Sequence, residues 1–183
     1  MLKQKEESLY VEQKKSRPKI EEIAKVLLFG EQLTHLLKFV EYLHNNKLSP
    51  VWASSNSWKV SCKGKGLLYI KIPYESANPD SGRNTWYIDP IGYYDDDCKS
   101  LIEDDSYKDV VLSCVKQCHA CFGRYIGKKR SCNFGTDRTI CGKEFKNVCG
   151  YLHMVNPNND VLDFLKVWIQ TKTLKYNEPL KSR

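Results

Sequence analysis

No uninterrupted apolar stretch in the 183-residue sequence approaches the roughly 20 residues that a helix needs to cross a membrane. The opening segment, MLKQKEESLY, is charged and lacks the apolar centre of a secretory signal. Internal repeats, low-complexity segments, a glycine-rich phosphate loop, an HExxH pair and an ordered Ser/His/Asp set are also missing. These absences argue against a membrane protein and against an enzyme that uses one of these standard motifs. We expect a cytoplasmic location.

The composition is that of a folded chain. Hydrophobic residues make up 41% of the sequence and aromatic residues 11%, which is too much for a disordered protein. The length predicts one domain. Eight cysteines without an export signal point to a reducing compartment, and to free thiols or a metal site rather than disulfides.

The formal net charge is +7, and the charged residues are distributed unevenly along the chain. Between Cys118 and Cys149, seven basic residues stand against two acidic ones, whereas between Ile88 and Asp109 eight acidic residues stand against two basic ones. A basic cluster can collect phosphates. Because no nucleic-acid-binding motif accompanies it, we favour a solvated loop or neutralisation of the acidic segment, and keep nucleic acid as a less favoured partner.

Apolar spacing predicts helices on both sides of a strand-rich middle. Apolar residues at three- and four-residue steps predict helices from Ile20 to Leu28 and from Glu31 to Asn45. The same spacing predicts helices from Ser106 to Gln117 and from Asn158 to Gln170, the last capped by Asn158 or Asn159.

The middle of the chain predicts an antiparallel meander. Alternating residues from Trp52 to Cys62, the run Leu67–Ile72 and the run Thr85–Ile88 read as strands separated by turn formers. The fold class is therefore α+β: a small antiparallel sheet of about three to five strands packed against helices, with an irregular cysteine-rich insertion.

The predicted organisation is one domain with two tails. Residues 1–19 are rich in Lys, Glu and Gln and predict a flexible charged tail or a short peripheral helix. The domain spans residues 20–175 and contains the cysteine-rich lobe, which we define as residues 114–150. Residues 176–183 are expected to be a flexible C-terminus.

Six of the eight cysteines lie in the cysteine-rich lobe, and they predict a metal site. Cys118-x2-Cys121 has the spacing of a ligand pair for one tetrahedral ion. Cys132, with either Cys141 or Cys149, can supply the second pair. Zinc is the expected metal because it favours closed thiolate sites, and iron is the alternative. Since the lobe has little apolar content, metal binding should supply most of its folding energy.

Thiol redox chemistry is the alternative use of the Cys118/Cys121 pair. A CxxC pair can cycle between dithiol and disulfide when one thiol has a lowered pKa. The thioredoxin-like context has a strand running into a helix at the motif, whereas here a predicted helix runs into it. We therefore favour metal, and we expect Cys62, Cys98 and Cys114 to be ordinary cysteines.

Two stretches resemble a known family. They are SWKV from Ser57 with KGLLYI from Lys65, and Cys118-x2-Cys121 with GKEFKNVC, which runs from Gly142 to Cys149. The chain resembles small, functionally uncharacterised bacterial proteins, many from gut Firmicutes, over roughly residues 31–172, and its first half resembles YdhG-like α+β domains. The resemblance implies metal ligands at Cys118, Cys121, Cys132 and Cys149, in preference to Cys141, and it implies no activity.

The remaining candidates are aromatic side chains and isolated histidines. Trp52, Trp58, Tyr69 and Trp86 lie on neighbouring predicted strands and could line a concavity for a small ligand, although strand aromatics are more often core. A lone histidine, such as His153, is more often a hydrogen-bonded structural residue than a catalyst. We expect a non-enzymatic binding or adaptor domain for a protein or small-molecule partner; a nucleic-acid-associated protein and a thiol-redox factor or enzyme are the alternatives.

Overall fold

The computed structural model describes residues 11–73, 84–92, 100–117 and 136–178, without the side chains of residues 116–117, 136, 147 and 149–151. The fold is α+β, which confirms the predicted class. The helices include α1, described over residues 11–16, α2 (Ile20–Leu27), α3 (Gly30–Asn45), α4 (Lys108–Cys114) and α5 (Asn159–Asn177), and residues 100–102 are helical as well. The strands are β1 (Val51–Ser54), β2 (Ser57–Cys62), β3 (Lys65–Lys71), β4 (Tyr87–Pro90), β5 (Val115–Gln117), β6 (Thr136–Ile140), β7 (Lys143–Leu152) and β8 (Met154–Val155).

The first two long helices follow the predicted apolar stripes. Helix α2 buries Ile20, Ile23 and Ala24, and α3 buries one face that includes Phe39 and Leu43. Gly30, the first residue of α3, has a φ of +59°, a conformation that glycine adopts without a steric cost. The long stripe of α3 thus faces the sheet, as an amphipathic helix should.

The larger sheet is antiparallel throughout, in the order β1-β2-β3-β4-β8. Its alternation places Trp58, Ile70 and Ile88 on one buried face. The register of β2 against β3 shifts between Val60 and Ser61. This bulge accounts for the burial of two consecutive residues, Leu67 and Leu68, because a bulge interrupts the normal alternation of faces.

A second antiparallel sheet has the order β5-β7-β6. The prediction that the cysteine-rich insertion is irregular is therefore wrong from Thr136 onward. Cys141 and Gly142, with φ of +49° and +75°, form the two-residue turn between β6 and β7, as a type I′ hairpin requires. Similarly, the predicted helix over Ser106 to Gln117 ends at Cys114, and the chain continues as β5.

The last helix begins where the sequence predicts. Asn158 caps α5, and its side-chain oxygen accepts a hydrogen bond from the Val161 backbone N–H at 3.0 Å. The helix continues past Gln170 to Asn177. It lies beside α3, where the Tyr42 hydroxyl donates to the Lys166 carbonyl at 3.3 Å.

Residues 11–16 are helical, and a helix is one of the two alternatives that the sequence predicts for residues 1–19. Helix α1 buries the Gln13 side chain against the turn between β1 and β2. The Gln13 amide donates to Asn56 Oδ1 at 2.5 Å and accepts from the Asn56 backbone N–H at 2.8 Å. Residues 11–16 are thus tied to the sheet.

The core lies between the helices and the buried face of the larger sheet. Its largest members are Trp58 and Trp86 from the strand region, Phe39 from α3, and Trp168 and Phe164 from α5. The smaller sheet joins the same cluster through Ile140 and Leu152. None of the helices described is both long and apolar enough to span a bilayer.

Candidate functional site

Most of the predicted metal ligands lie outside the described residues. Cys118, Cys121 and Cys132 fall between residues 117 and 136, and Cys149 contributes only its backbone, in β7. Cys141 is described: its thiol donates to the Ile102 carbonyl at 3.1 Å, and burial raises its pKa. Cys62 and Cys114 are free thiols, and burial raises the pKa of Cys114 as well.

Strand pairing brings together the two residues, 117 and 136, that flank the segment containing Cys118, Cys121 and Cys132. Gln117, which precedes Cys118, pairs with Val148 on one side of β7, and Thr136 pairs with Val148 on the other. Because neighbouring strands lie about 4.8 Å apart, the two ends are separated by roughly 10 Å. Cys149 is the next residue along β7. The backbone of Cys149 is therefore close to both ends of the segment.

The turn at Cys141 lies at the opposite end of the hairpin. Ile140 pairs with Lys143, five positions before Val148 on β7. With a rise of about 3.3 Å per residue, this separates the turn from Val148 by roughly 17 Å.

The larger sheet has a second, polar face, on the side opposite the core. Alternation along β3 and β4 places Tyr69 and Lys71, with their neighbours Tyr87 and Asp89, on this side. Lys59 from β2 lies across from Tyr69. We call this surface the outer face.

Asp89 joins Lys71 and His153 on the outer face. One carboxylate oxygen accepts a hydrogen bond from Lys71 Nζ at 2.7 Å, and the other lies 2.8 Å from Nδ1 of His153. Burial alone would raise the pKa of Asp89, but the hydrogen bonds from His153 and Lys71 lower it below its usual value. Burial opposes the charge on Lys71 as well, yet its bond to Asp89 raises the pKa of the lysine.

Aromatic rings enclose this polar cluster. The Tyr87 ring lies 4.6 Å from the His153 ring, centre to centre, at an angle of 51°. The Lys71 ammonium lies 5.5 Å from the centre of Tyr87 and 5.8 Å from that of Tyr69, within the range of cation–π attraction. The side chains of Lys71 and Asp89 are 34% and 22% exposed, so the cluster is accessible in part.

The chain passes from one sheet to the other at His153. This residue lies between β7 and β8, and its backbone N–H donates to the Cys114 carbonyl at 3.0 Å. Asp89 engages Nδ1, whereas Nε2 has no partner among the described residues. A carboxylate that holds one ring nitrogen orients the ring and leaves the other nitrogen to bind a ligand or exchange a proton.

Sequence reasoning missed this cluster because its members are distant along the chain. Asp89 and His153 are separated by 64 positions, so no local motif contains them. The usable signal was the alternation in β3 and β4, where polar and aromatic residues fall opposite the apolar ones.

The four aromatic side chains predicted to bind a ligand do not share one surface. Trp58 and Trp86 are fully buried, and their indole N–H groups donate to the Pro18 carbonyl and to Gln32 Oε1. Trp52 faces Trp58 across β1 and β2. Tyr69 lies on the outer face. Trp58 and Trp86 are thus core residues, which is the alternative to ligand binding that the sequence analysis gives for strand aromatics.

A cleft of about 400 Å³ lies where α4, β8 and the start of α5 meet. Ser113, His153, Asn156 and Asn158 supply polar groups to its lining. The amide oxygens of Asn156 and Asn158 accept hydrogen bonds from the backbone N–H groups of Trp86 and Val161. These two side chains therefore hold the local backbone in place, and His153 is the lining residue that has an unengaged ring nitrogen.

Comparison of the chain with protein-family models, with curated proteins and with solved structures finds no match.

Proposed function

We propose that this chain is a non-enzymatic binding domain whose cysteine-rich lobe is held together by a structural zinc ion. The ligands in this proposal are Cys118, Cys121, Cys132 and Cys149. The observation that carries it is the convergence at Val148, where the strand that leads into Cys118 and the strand that follows Cys132 both pair with β7. The binding role is supported by the polar and aromatic outer face.

The same backbone geometry supports Cys149 as the fourth ligand. It directly follows Val148, whereas the Cys141 turn is roughly 17 Å away along the hairpin at the usual strand rise. Cys141 also has a partner already, because its thiol donates to the Ile102 carbonyl.

A closed four-thiolate site suits a structural ion. Zinc in such a site has no open coordination position for a water molecule, so it stabilises a fold rather than activating a nucleophile. The segment from residue 118 to residue 135 would then be tied at both ends by β-pairing and within by the metal. Metal binding would contribute directly to the folding of the lobe.

The test is elemental analysis of the purified full-length chain and of single Cys→Ser variants. We expect near-stoichiometric zinc in the parent protein and its loss on substitution of Cys118, Cys121, Cys132 or Cys149. Cys141→Ser and Cys62→Ser are the matched controls and should keep the metal. A parent protein without zinc would overturn the proposal. Loss of zinc in Cys141→Ser together with its retention in Cys149→Ser would overturn the ligand set.

A further inference from the structure

We propose that the outer face of the larger sheet binds single-stranded nucleic acid, with bases stacked on its tyrosine rings and a phosphate held by Lys59. On the outer face, aromatic and basic side chains alternate on the rigid support of paired strands. This inference names a partner for the proposed binding domain and does not depend on the zinc site.

The pairing of the strands arranges the outer face in two rows. One row runs Lys59, Tyr69, Asp89 across β2, β3 and β4. The second row runs Lys71, Tyr87, Val155 across β3, β4 and β8. Directly opposed side chains lie about 5 Å apart and diagonal ones about 7–8 Å. The two tyrosines are diagonal neighbours, and Lys71 lies between their rings.

The charges on the outer face favour an anionic partner. Asp89 is the acidic residue of the two rows, and its carboxylate is bonded to both Lys71 and His153. Lys59 forms no ion pair with the described residues, so its charge is left for a partner. The aliphatic part of the Lys59 side chain runs over Gly66. Any residue with a β-carbon at position 66 would bring that atom within 2.9 Å of Lys59 Cε. The glycine therefore allows the lysine to lie close against the sheet.

The rings distinguish a nucleic acid from other anions. Each base has a π-face that can stack on a tyrosine, and single strands leave these faces free. Contacts from His153 and Lys71 hold the Tyr87 ring in place, which reduces the entropy lost when a base stacks on it. An acidic peptide would use the lysines but not the two rings. A duplex keeps its bases stacked on one another, so it should bind more weakly.

The experiment measures fluorescence anisotropy of the purified full chain with labelled oligouridylate and oligodeoxythymidylate of about ten nucleotides, and with a duplex of the same length. Binding of a single strand should be detected at about 50 mM salt and weaken as salt rises, with a slope of roughly −0.7 per phosphate contact. Both sugars are tested because stacking on tyrosine is common to RNA and DNA.

The variants separate stacking from charge. Tyr69→Leu should weaken binding by about 5- to 100-fold, the loss typical of one base-stacking platform, whereas Tyr69→Phe should bind like the parent because it keeps the ring. Lys59→Gln should make the salt slope shallower by about 0.7. Lys38→Gln, an exposed lysine on α3, removes the same charge from the helical side and should leave binding unchanged.

Several outcomes would overturn the inference. The first two are a failure to bind single strands at low salt and an affinity for the duplex equal to that for the single strand. The third is an equal loss of affinity in Lys59→Gln and Lys38→Gln. The fourth is loss of binding when Lys128, Lys129 and Arg130 are neutralised but not when Tyr69 is changed. Zinc content is measured in the same samples. A zinc-containing protein that does not bind contradicts this inference alone, and a binding protein without zinc contradicts the proposed zinc site alone.

Discussion

Asp89 is the residue that balances charge on the outer face. Its side chain is 22% exposed, and a carboxylate so far removed from water is costly unless donors compensate it. Lys71 and His153 supply these donors from two different elements, one on β3 and one between β7 and β8. Asp89 therefore links the larger sheet to the point where the chain leaves the smaller one.

Replacing Asp89 by Asn should destabilise the protein by about 1–3 kcal/mol near neutral pH, because the hydrogen bonds of the carboxylate to Lys71 and His153 are lost. Urea unfolding monitored by circular dichroism measures this change. Asp163→Asn is the matched control, since Asp163 is 68% exposed and pairs with Lys166 one helical turn away. A surface pair of this kind contributes about 0–1 kcal/mol.

The same residue predicts how stability depends on pH. The pKa of Asp89 is lowered by folding, so its contribution is present above the unfolded value of about 3.9 and is lost as the pH falls through the lower folded value. The free energy of unfolding of the parent should therefore decline more steeply in acid than that of Asp89→Asn. Parallel declines below about pH 4 would contradict this assignment.

At the residue scale, the sequence predicted the local roles best. The cap at Asn158 follows from one side chain and the three residues after it, and Cys114, for which the sequence predicts an ordinary cysteine, is a free thiol with 5% exposure. His153 was expected to be hydrogen-bonded, and it is. Its partner was not predictable, because an ion pair across 64 positions depends on the register of β4 against β8.

At the scale of single elements, α1 shows how a peripheral helix is held against a sheet. The Gln13 side chain of α1 is buried, at 1% exposure. The nitrogen and the oxygen of the Gln13 side-chain amide both form hydrogen bonds with Asn56. Asn56 lies in the β1–β2 turn and has a φ of +58°. Just beyond the helix, the Pro18 carbonyl accepts a hydrogen bond from the Trp58 indole at 2.9 Å. These hydrogen bonds join the segment to the sheet.

Gln13→Ala should destabilise the protein by about 1–3 kcal/mol, because the Asn56 backbone N–H and side chain lose a buried partner. The measurement is the free energy of unfolding in urea. Lys15→Ala, an exposed position on the same helix, removes a long side chain without a buried bond and should change stability by less than about 0.5 kcal/mol. Equal effects of the two substitutions would show that the amide pair contributes nothing.

Elements with an apolar stripe were predictable and those without one were not. Helix α3 and strands β2 to β4 carry apolar residues at the helix and strand periods, and the structure confirms them. Strand β6, with sequence TDRTI, ends in a single buried residue, Ile140. Its pairing with β7 depends on the Cys141–Gly142 turn, which is not among the commonest type I′ pairs.

At the scale of the whole molecule, the two sheets differ in what supports them. In the larger sheet, β2, β3, β4 and β8 contribute buried residues to the core, which also contains residues of α2, α3 and α5. Among the described side chains, the smaller sheet contributes Ile140 and Leu152 to the buried core cluster. With fewer described apolar side chains in the core, the smaller sheet should open more readily than the larger one. In our proposal, zinc compensates for this difference.

Removing zinc should therefore loosen one sheet and spare the other. After chelation, amide hydrogen exchange should accelerate across β5, β6 and β7, whereas β2 and β3 should keep most of their protection, because their bonds are covered by the core. Cys121→Ser should reproduce the pattern without chelator, which separates metal loss from side effects of the reagent, and Cys62→Ser is the control. Uniform acceleration in both sheets would mean that the molecule unfolds as one unit, and unchanged exchange in β7 would mean that the ion does not support the smaller sheet.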